Sequence, residues 1–203
     1  MDFFNDLSTD FNYDYAMVPQ YQTILKRTLS AQFNAFTRVF ALRFDLRFPV
    51  SMVYQDSSVI SRFLASFKSH LVIWDKYRRS QHPIGFSFVW CREKNSSQNW
   101  HYHVVFFFNK DAIHALGQCE LGLKNTYNRI LSAWASAIRV TPREAVGLVH
   151  ICKNGSYWLD QRAPDFSSQL RLAMDSFNYL AKSTTKDIND GCRNIGSSHK
   201  PFM

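Results

Sequence analysis

Residues 40–48 alternate without a break: Phe40, Leu42, Phe44, Leu46 and Phe48 take one parity, Ala41, Arg43, Asp45 and Arg47 the other. A period of two predicts a strand with one apolar face and one largely charged face, in a sheet covered on one side only. Pro49 closes it. Upstream, Ile24, Leu25, Leu29, Phe33 and Phe36 recur near helical spacing and predict a helix over 20–37. Downstream, Val59, Ile60, Phe63, Leu64, Phe67, Leu71 and Trp74 form one stripe of a helix over 57–77.

A second strand is predicted over 84–93, with Ile84, Phe86, Phe88 and Trp90 on its bulky side and Glu93 on the other. The polar loop 94–99 turns the chain into a third strand over 100–108. A helix follows over 125–138, then a strand over 146–152. Asn154-Gly155 reads as a hairpin turn, with 157–159 returning. Asp165 is the candidate N-cap of a last helix running to about 182. The order α-β-α-β-β-α-β-β-α describes an α+β fold: an antiparallel sheet of RRM-like type, helices packed on its one apolar face, the other face open. Residues 1–16 read as an acidic arm, 17–186 as one domain and 187–203 as a flexible tail.

Composition adds three constraints. With 203 residues, 46% hydrophobic and 18 Phe, the chain is globular. Its longest strictly apolar run, 104–108, is too short for a bilayer span, and the N-terminus lacks a secretory pattern. Cys91, Cys119, Cys152 and Cys192 form no Cys-x-x-Cys pair, so free thiols in a reducing cytoplasm are expected. The net charge of +8 is uneven: residues 1–25 hold Asp2, Asp6, Asp10 and Asp14 and no Lys or Arg, which leaves +12 on the remainder. That balance favours a polyanionic partner, with a merely soluble basic protein as the plain alternative.

His101 and His103 carry the candidate chemistry. Two apart on a strand, their imidazoles project from one face with Cα atoms about 7 Å apart. Alone, the pair fits two hydrogen-bonded core polar groups as readily as two metal ligands. A hairpin brings Glu93 near them; two imidazoles and a carboxylate leave coordination positions open for a phosphate oxygen. Glu93 also reads as a surface charge at a hairpin end. Asp45 either touches this site or pairs with Arg43 or Arg47. Tyr179 and Lys182, three apart, share a face of the last helix, and Lys186 extends it. A phenol is a weak nucleophile at its ordinary pKa of about 10; a metal that polarises a phosphate and a nearby ammonium would offset this.

Phe-Asp-Leu-Arg in the first strand, Cys91-Arg92-Glu93-Lys94-Asn95, His101-Tyr102-His103 and Tyr179-x-x-Lys182 occur in an order that resembles the HUH endonucleases of rolling-circle replication initiators. Residues 42–49, 101–109 and 179–186 are more closely similar to the inovirus-type replication proteins, related to the YagK/YfjJ C-terminal domain. The resemblance covers roughly 20–190. It implies an HUH endonuclease fold and an Mg²⁺ or Mn²⁺ ion on Glu93, His101 and His103. It also implies Tyr179 as nucleophile assisted by Lys182. Read from the residues themselves, Arg43, Arg47, Lys68, Arg78 and Arg79 are candidate phosphate contacts, each with a solvated face as the plain alternative, and Lys186 joins Arg43 and Arg47 as a candidate DNA contact. Single-stranded origin DNA, with a hairpin, would be nicked in the cytoplasm of a bacterial host through a 5′-phosphotyrosine. No phosphate-binding Gly-rich loop is present, so a host helicase and polymerase would supply unwinding and synthesis. Tyr102 between the histidines points to the opposite face and leaves ligation undisturbed. The single tyrosine departs from initiators that carry two. The alternatives are a non-catalytic single-strand binder with an RRM-like sheet, in which Tyr157 and Trp158 would stack bases, and a related transposase or relaxase.

Overall fold

The computed structural model describes residues 16–53, 56–94, 99–183 and 190–203. Their order is α1 (Pro19–Ala35), β1 (Arg38–Leu46), α2 (Val59–Tyr77), β2 (Ser87–Glu93), β3 (His101–Asn109), α3 (Thr126–Ile138), β4 (Val149–Asp160), α4 (Phe166–Asn178), a 3-10 turn (Tyr179–Ala181) and β5 (Ile195–Ser197). The strands form one antiparallel sheet in the order β4-β1-β3-β2-β5, an α+β fold. No described helix is long and apolar enough to cross a membrane.

The alternation in β1 sorts its side chains as predicted. Phe40, Leu42, Phe44 and Leu46 join Trp90, Val104, Phe106 and Phe108 in a core closed by α2 and α3. Aromatic rings dominate it: Phe106 lies with ring centroids 4.7 Å from Phe86, 4.8 Å from Phe67 and 4.9 Å from Phe44. Trp134 of α3 is fully buried, and its indole N–H donates to the Arg47 carbonyl at 2.8 Å.

The opposite face is not open, and the expectation of helices on one face is corrected. Leu25, Leu29 and Phe33 of α1 and Leu170, Ala173, Met174 and Phe177 of α4 pack on Val39, Ala41, Val89, Val105 and Phe107. The cause is visible in β3: Val105 and Phe107 make that central strand apolar on both faces, which requires cover on both. The two helices cover one end of this face. Its other end keeps Asp45, Glu93, His101 and His103.

Two further expectations change. The expected hairpin over 146–159 is instead one strand, β4, which begins at Val149 and runs antiparallel to β1. Phe44 pairs with Ile151 and Leu42 with Ser156, so Cys152, Lys153, Asn154 and Gly155 bulge out opposite Arg43 alone. Asn154 adopts φ 55°, as an Asn-Gly turn favours, but the chain then resumes its direction. Gly155 is required by close approach: a Cβ there would stand 2.5 Å from the Arg43 carbonyl oxygen. Gly155→Ala is therefore expected to destabilise the fold by about 1–3 kcal/mol, read as a lower thermal midpoint; an unchanged midpoint would show that the bulge yields freely.

The tail expected to be flexible over 187–203 contains β5, which pairs with β2, and Phe202 bridges to Phe86. Arg92 holds this segment. Its guanidinium is fully buried, lies 4.9 Å from the Trp100 ring, and donates to both Asp190 carboxylate oxygens at 2.7 and 2.6 Å and to Asn194. Of the acidic arm, residues 1–15 lie outside the described residues. Ala16–Val18 runs beside residues 181–183, with Val18 N–H donating to the Ala181 carbonyl and Ser183 N–H to the Ala16 carbonyl.

Candidate metal centre and tyrosine

Strand pairing builds the site. His103 stands opposite Asp45 on β1 and Cys91 on β2, and His101 stands opposite Glu93. Directly paired residues share a face, so Asp45, Glu93, His101 and His103 form one polar patch. Their surroundings are dry: His103, Glu93 and Asp45 are buried, and His101 is half-buried.

The nitrogens of His101 and His103 and a carboxylate oxygen of Glu93 lie within 4.8 Å of one another, so the three could hold a metal ion. His103 Nε2 is 2.6 Å from Glu93 Oε2 and 3.1 Å from His101 Nε2. On its other side, His103 Nδ1 is 2.6 Å from Asp45 Oδ1. A carboxylate behind the ligating imidazole fixes the tautomer and ring orientation, as outer partners of metal ligands commonly do.

The electrostatics agree with a cation site. Burial pushes His103 toward the neutral imidazole, but its hydrogen bonds to Asp45 and Glu93 and their charges outweigh burial and raise its pKa. Burial works against ionisation of Asp45 too, yet His103 lowers its pKa on balance. Burial and then the charge of His103 lower the pKa of His101. Two buried carboxylates demand positive charge nearby. The donor set of two imidazoles and a carboxylate suits a divalent ion with open positions.

Tyr179 arrives from above this patch. Its ring meets His103 edge-on, with centroids 5.1 Å apart. It lies not in the last helix but in the 3-10 turn after it, and Lys182 has already turned to extended backbone. The contacts with Ala16–Val18 explain the change, because residues 181–183 bond to that segment instead of continuing the helix. Lys182 nonetheless stays close, its Nζ 5.6 Å from the Tyr179 ring centroid.

The candidate DNA contacts divide. Arg43 turns inward: its guanidinium lies 4.5 Å from the Tyr179 ring centroid and donates to the carbonyl and hydroxyl of Ser176 at 3.1 and 3.2 Å. Arg47 is exposed at the end of β1. Lys186 lies outside the described residues. Asp45 proves to be a partner of His103, a role its strand parity allowed. Cys152 was not anticipated: its thiol sits 3.8 Å from Asp45 Oδ1, and burial, then the Asp45 charge, push its pKa up to about 11. Only the bulge, invisible in the hydrophobic pattern, brings it there.

The profile of the YagK/YfjJ C-terminal domain family matches residues 1–198. YagK of Escherichia coli K12, an uncharacterized protein, is 30% identical over 193 residues, covering 88% of this chain and 92% of its own. YfjJ of the same organism, also uncharacterized, is 28% identical over 197 residues, covering 89% and 94%. Among solved structures, the N-terminal nuclease domain of the minute virus of mice non-structural protein 1 covers 76% of this chain and 98% of its own. It does so at 11% identity and a TM-score of 0.27, an overlap too loose to carry an inference.

Proposed function

Since this chain belongs to the YagK/YfjJ C-terminal domain family, whose E. coli relatives carry no stated activity, its own site must supply the functional reading, and we propose a metal-dependent endonuclease that nicks and rejoins single-stranded DNA. The observation that carries this reading is the packing of Tyr179 against His103 within a cluster of ligand atoms from Glu93, His101 and His103. A divalent ion on those three residues, Mg²⁺ or Mn²⁺ by the motif resemblance, supplies a Lewis acid for a phosphodiester.

The remaining roles fall to the chain itself. Tyr179 Oη forms a bond to phosphorus while the bond to the 3′ oxygen breaks; the phenol gives up a proton and the 3′ oxygen takes one. The product is a 5′-phosphotyrosine and a free 3′-OH. Reversal, with a 3′-OH as the attacking group, rejoins the strand. Lys182 lends positive charge beside the phenol. Asp45 holds a proton on His103 Nδ1, so that Nε2 faces Glu93 and His101. The motif order favours the origin strand of a rolling-circle element as substrate, with a host helicase and polymerase acting after the nick.

The test is a denaturing gel. Full-length protein incubated with a single-stranded oligonucleotide and Mn²⁺ is expected to yield a covalent protein–DNA band. EDTA should remove that band, and added Mn²⁺ should restore it. Tight strand binding with no covalent band under any divalent ion would sink the nuclease and leave a single-strand-binding regulator.

A further inference from the structure

We propose that β4, beside the metal cluster, carries a second contact site for the nucleic-acid strand: a ledge formed by His150, Lys153 and Arg47 that binds backbone phosphates flanking the reacting one. The ledge rests on the reading above, that the site takes a single strand of DNA, and joins Arg47, already a candidate contact, to His150 and Lys153, which neither the motifs nor the ligand cluster assign.

The strand register places it. Asp45 pairs with His103 on one side and with His150 on the other. His150 therefore belongs to the face that holds the ligands, two strand spacings or about 10 Å from His103. The β4 bulge extends the same edge. Cys152 reaches the site, with its thiol 3.8 Å from Asp45, and Lys153 follows it on the exposed side. Bulges of this kind re-aim side chains at the margin of a site. Arg47 projects from the end of β1, close enough for its charge to act on both His101 and Cys152.

What sets these three side chains apart is their place beside the ligand cluster, while neighbouring or similar cations are already engaged. Arg38, Arg62, Arg78 and Arg92 each pair with a carboxylate: Asp111, Asp56, Asp75 and Asp190 respectively. Arg43 is engaged with Tyr179 and Ser176. Arg47, His150 and Lys153 are exposed, and among the described residues none of their side chains has a hydrogen-bond or ion-pair partner. Arg47 and Lys153, with the His150 imidazole, flank a centre whose carboxylate and imidazoles would hold a divalent cation, and this arrangement suits a repeating anion that spans both. In a duplex strand phosphates recur about every 3.4 Å of axis, so the 10 Å offset corresponds to about three nucleotides, and to fewer in an extended single strand. The contact is to phosphate and independent of base sequence.

The experiment measures binding of full-length protein to a fluorescent single-stranded oligonucleotide by anisotropy across a salt series, with the covalent-band assay run on the same samples. Lys153→Gln is expected to weaken binding several-fold and to flatten the salt dependence by about 0.7, the single-strand increment for one lost phosphate contact. His150→Gln should weaken binding with little change in slope, and Lys110→Gln, at the opposite end of the sheet, should change neither. If Lys153→Gln and His150→Gln bind with wild-type affinity and slope while the wild type forms its covalent band, the ledge is wrong and the nuclease reading stands. If the wild type fails to bind the strand at all, both are wrong. Equal thermal midpoints for all variants exclude misfolding as the source of a loss; a Lys153→Gln chain with a lowered midpoint is replaced by Lys153→Ala.

Discussion

Tyr179→Phe is expected to abolish the covalent protein–DNA band, by at least about 10³-fold, because no other group substitutes for a missing covalent nucleophile. Phenylalanine retains the ring that meets His103 edge-on and lies beside Arg43, so the turn and the ligand cluster keep their packing. Only Oη is lost, and Tyr179 is half-exposed. The thermal midpoint and the affinity for Mn²⁺ should therefore match wild type, and oligonucleotide binding should survive. A covalent band of wild-type intensity in Tyr179→Phe would place the nucleophile elsewhere and remove the central premise of the proposed chemistry.

His103→Ala should show the second-largest effect, on stability as well as on metal binding. His103 is buried between Asp45 and Glu93, 2.6 Å from an oxygen of each. Truncating it leaves two buried carboxylates without their shared cation, a loss of about 3–5 kcal/mol by analogy with broken buried ion pairs. His101→Ala is the instructive comparison. His101 is half-buried and faces His103 rather than a second acid behind it, so its removal should cost under about 1 kcal/mol while still abolishing Mn²⁺ binding. Thermal melts and Mn²⁺ titration calorimetry on the two variants separate the roles. If His103→Ala melts with His101→Ala, then the carboxylates do not depend on the imidazole between them.

Much of this arrangement was legible in local pattern. The alternation in β1 assigned its core face residue by residue, and strand parity put His101 and His103 side by side with Glu93 within reach. What failed were inferences that depend on distant partners. The charged parity of β1 suggested an open face, but Arg43, Asp45 and Arg47 occupy only its later half. Val39 and Ala41 precede them and lie under α1 and α4. Asn154-Gly155 has the chemistry of a turn, yet whether a turn reverses a strand or bulges from it depends on the neighbour, here β1. The three residues of β5 carry no periodicity to detect; they are recruited by the edge of β2 and by the buried guanidinium of Arg92. Helical spacing through Leu180 continued the last helix on paper, and the segment 16–18, from the other end of the chain, stops it.

The pairing of β5 with β2 also sets an order of events as the chain is made. Asp45, Glu93, His101 and His103 all lie at or before residue 103 of the polypeptide, on strands that neighbour one another in space. Tyr179 and the strand that closes the sheet emerge last. Chain closure over so long a span is slow, since its loop entropy precedes any reward from contact. On the proposed chemistry, therefore, the residues that would hold a cation are synthesised before the tyrosine that would attack a phosphate, and the nascent protein would acquire its reactive group only when its scaffold is nearly complete.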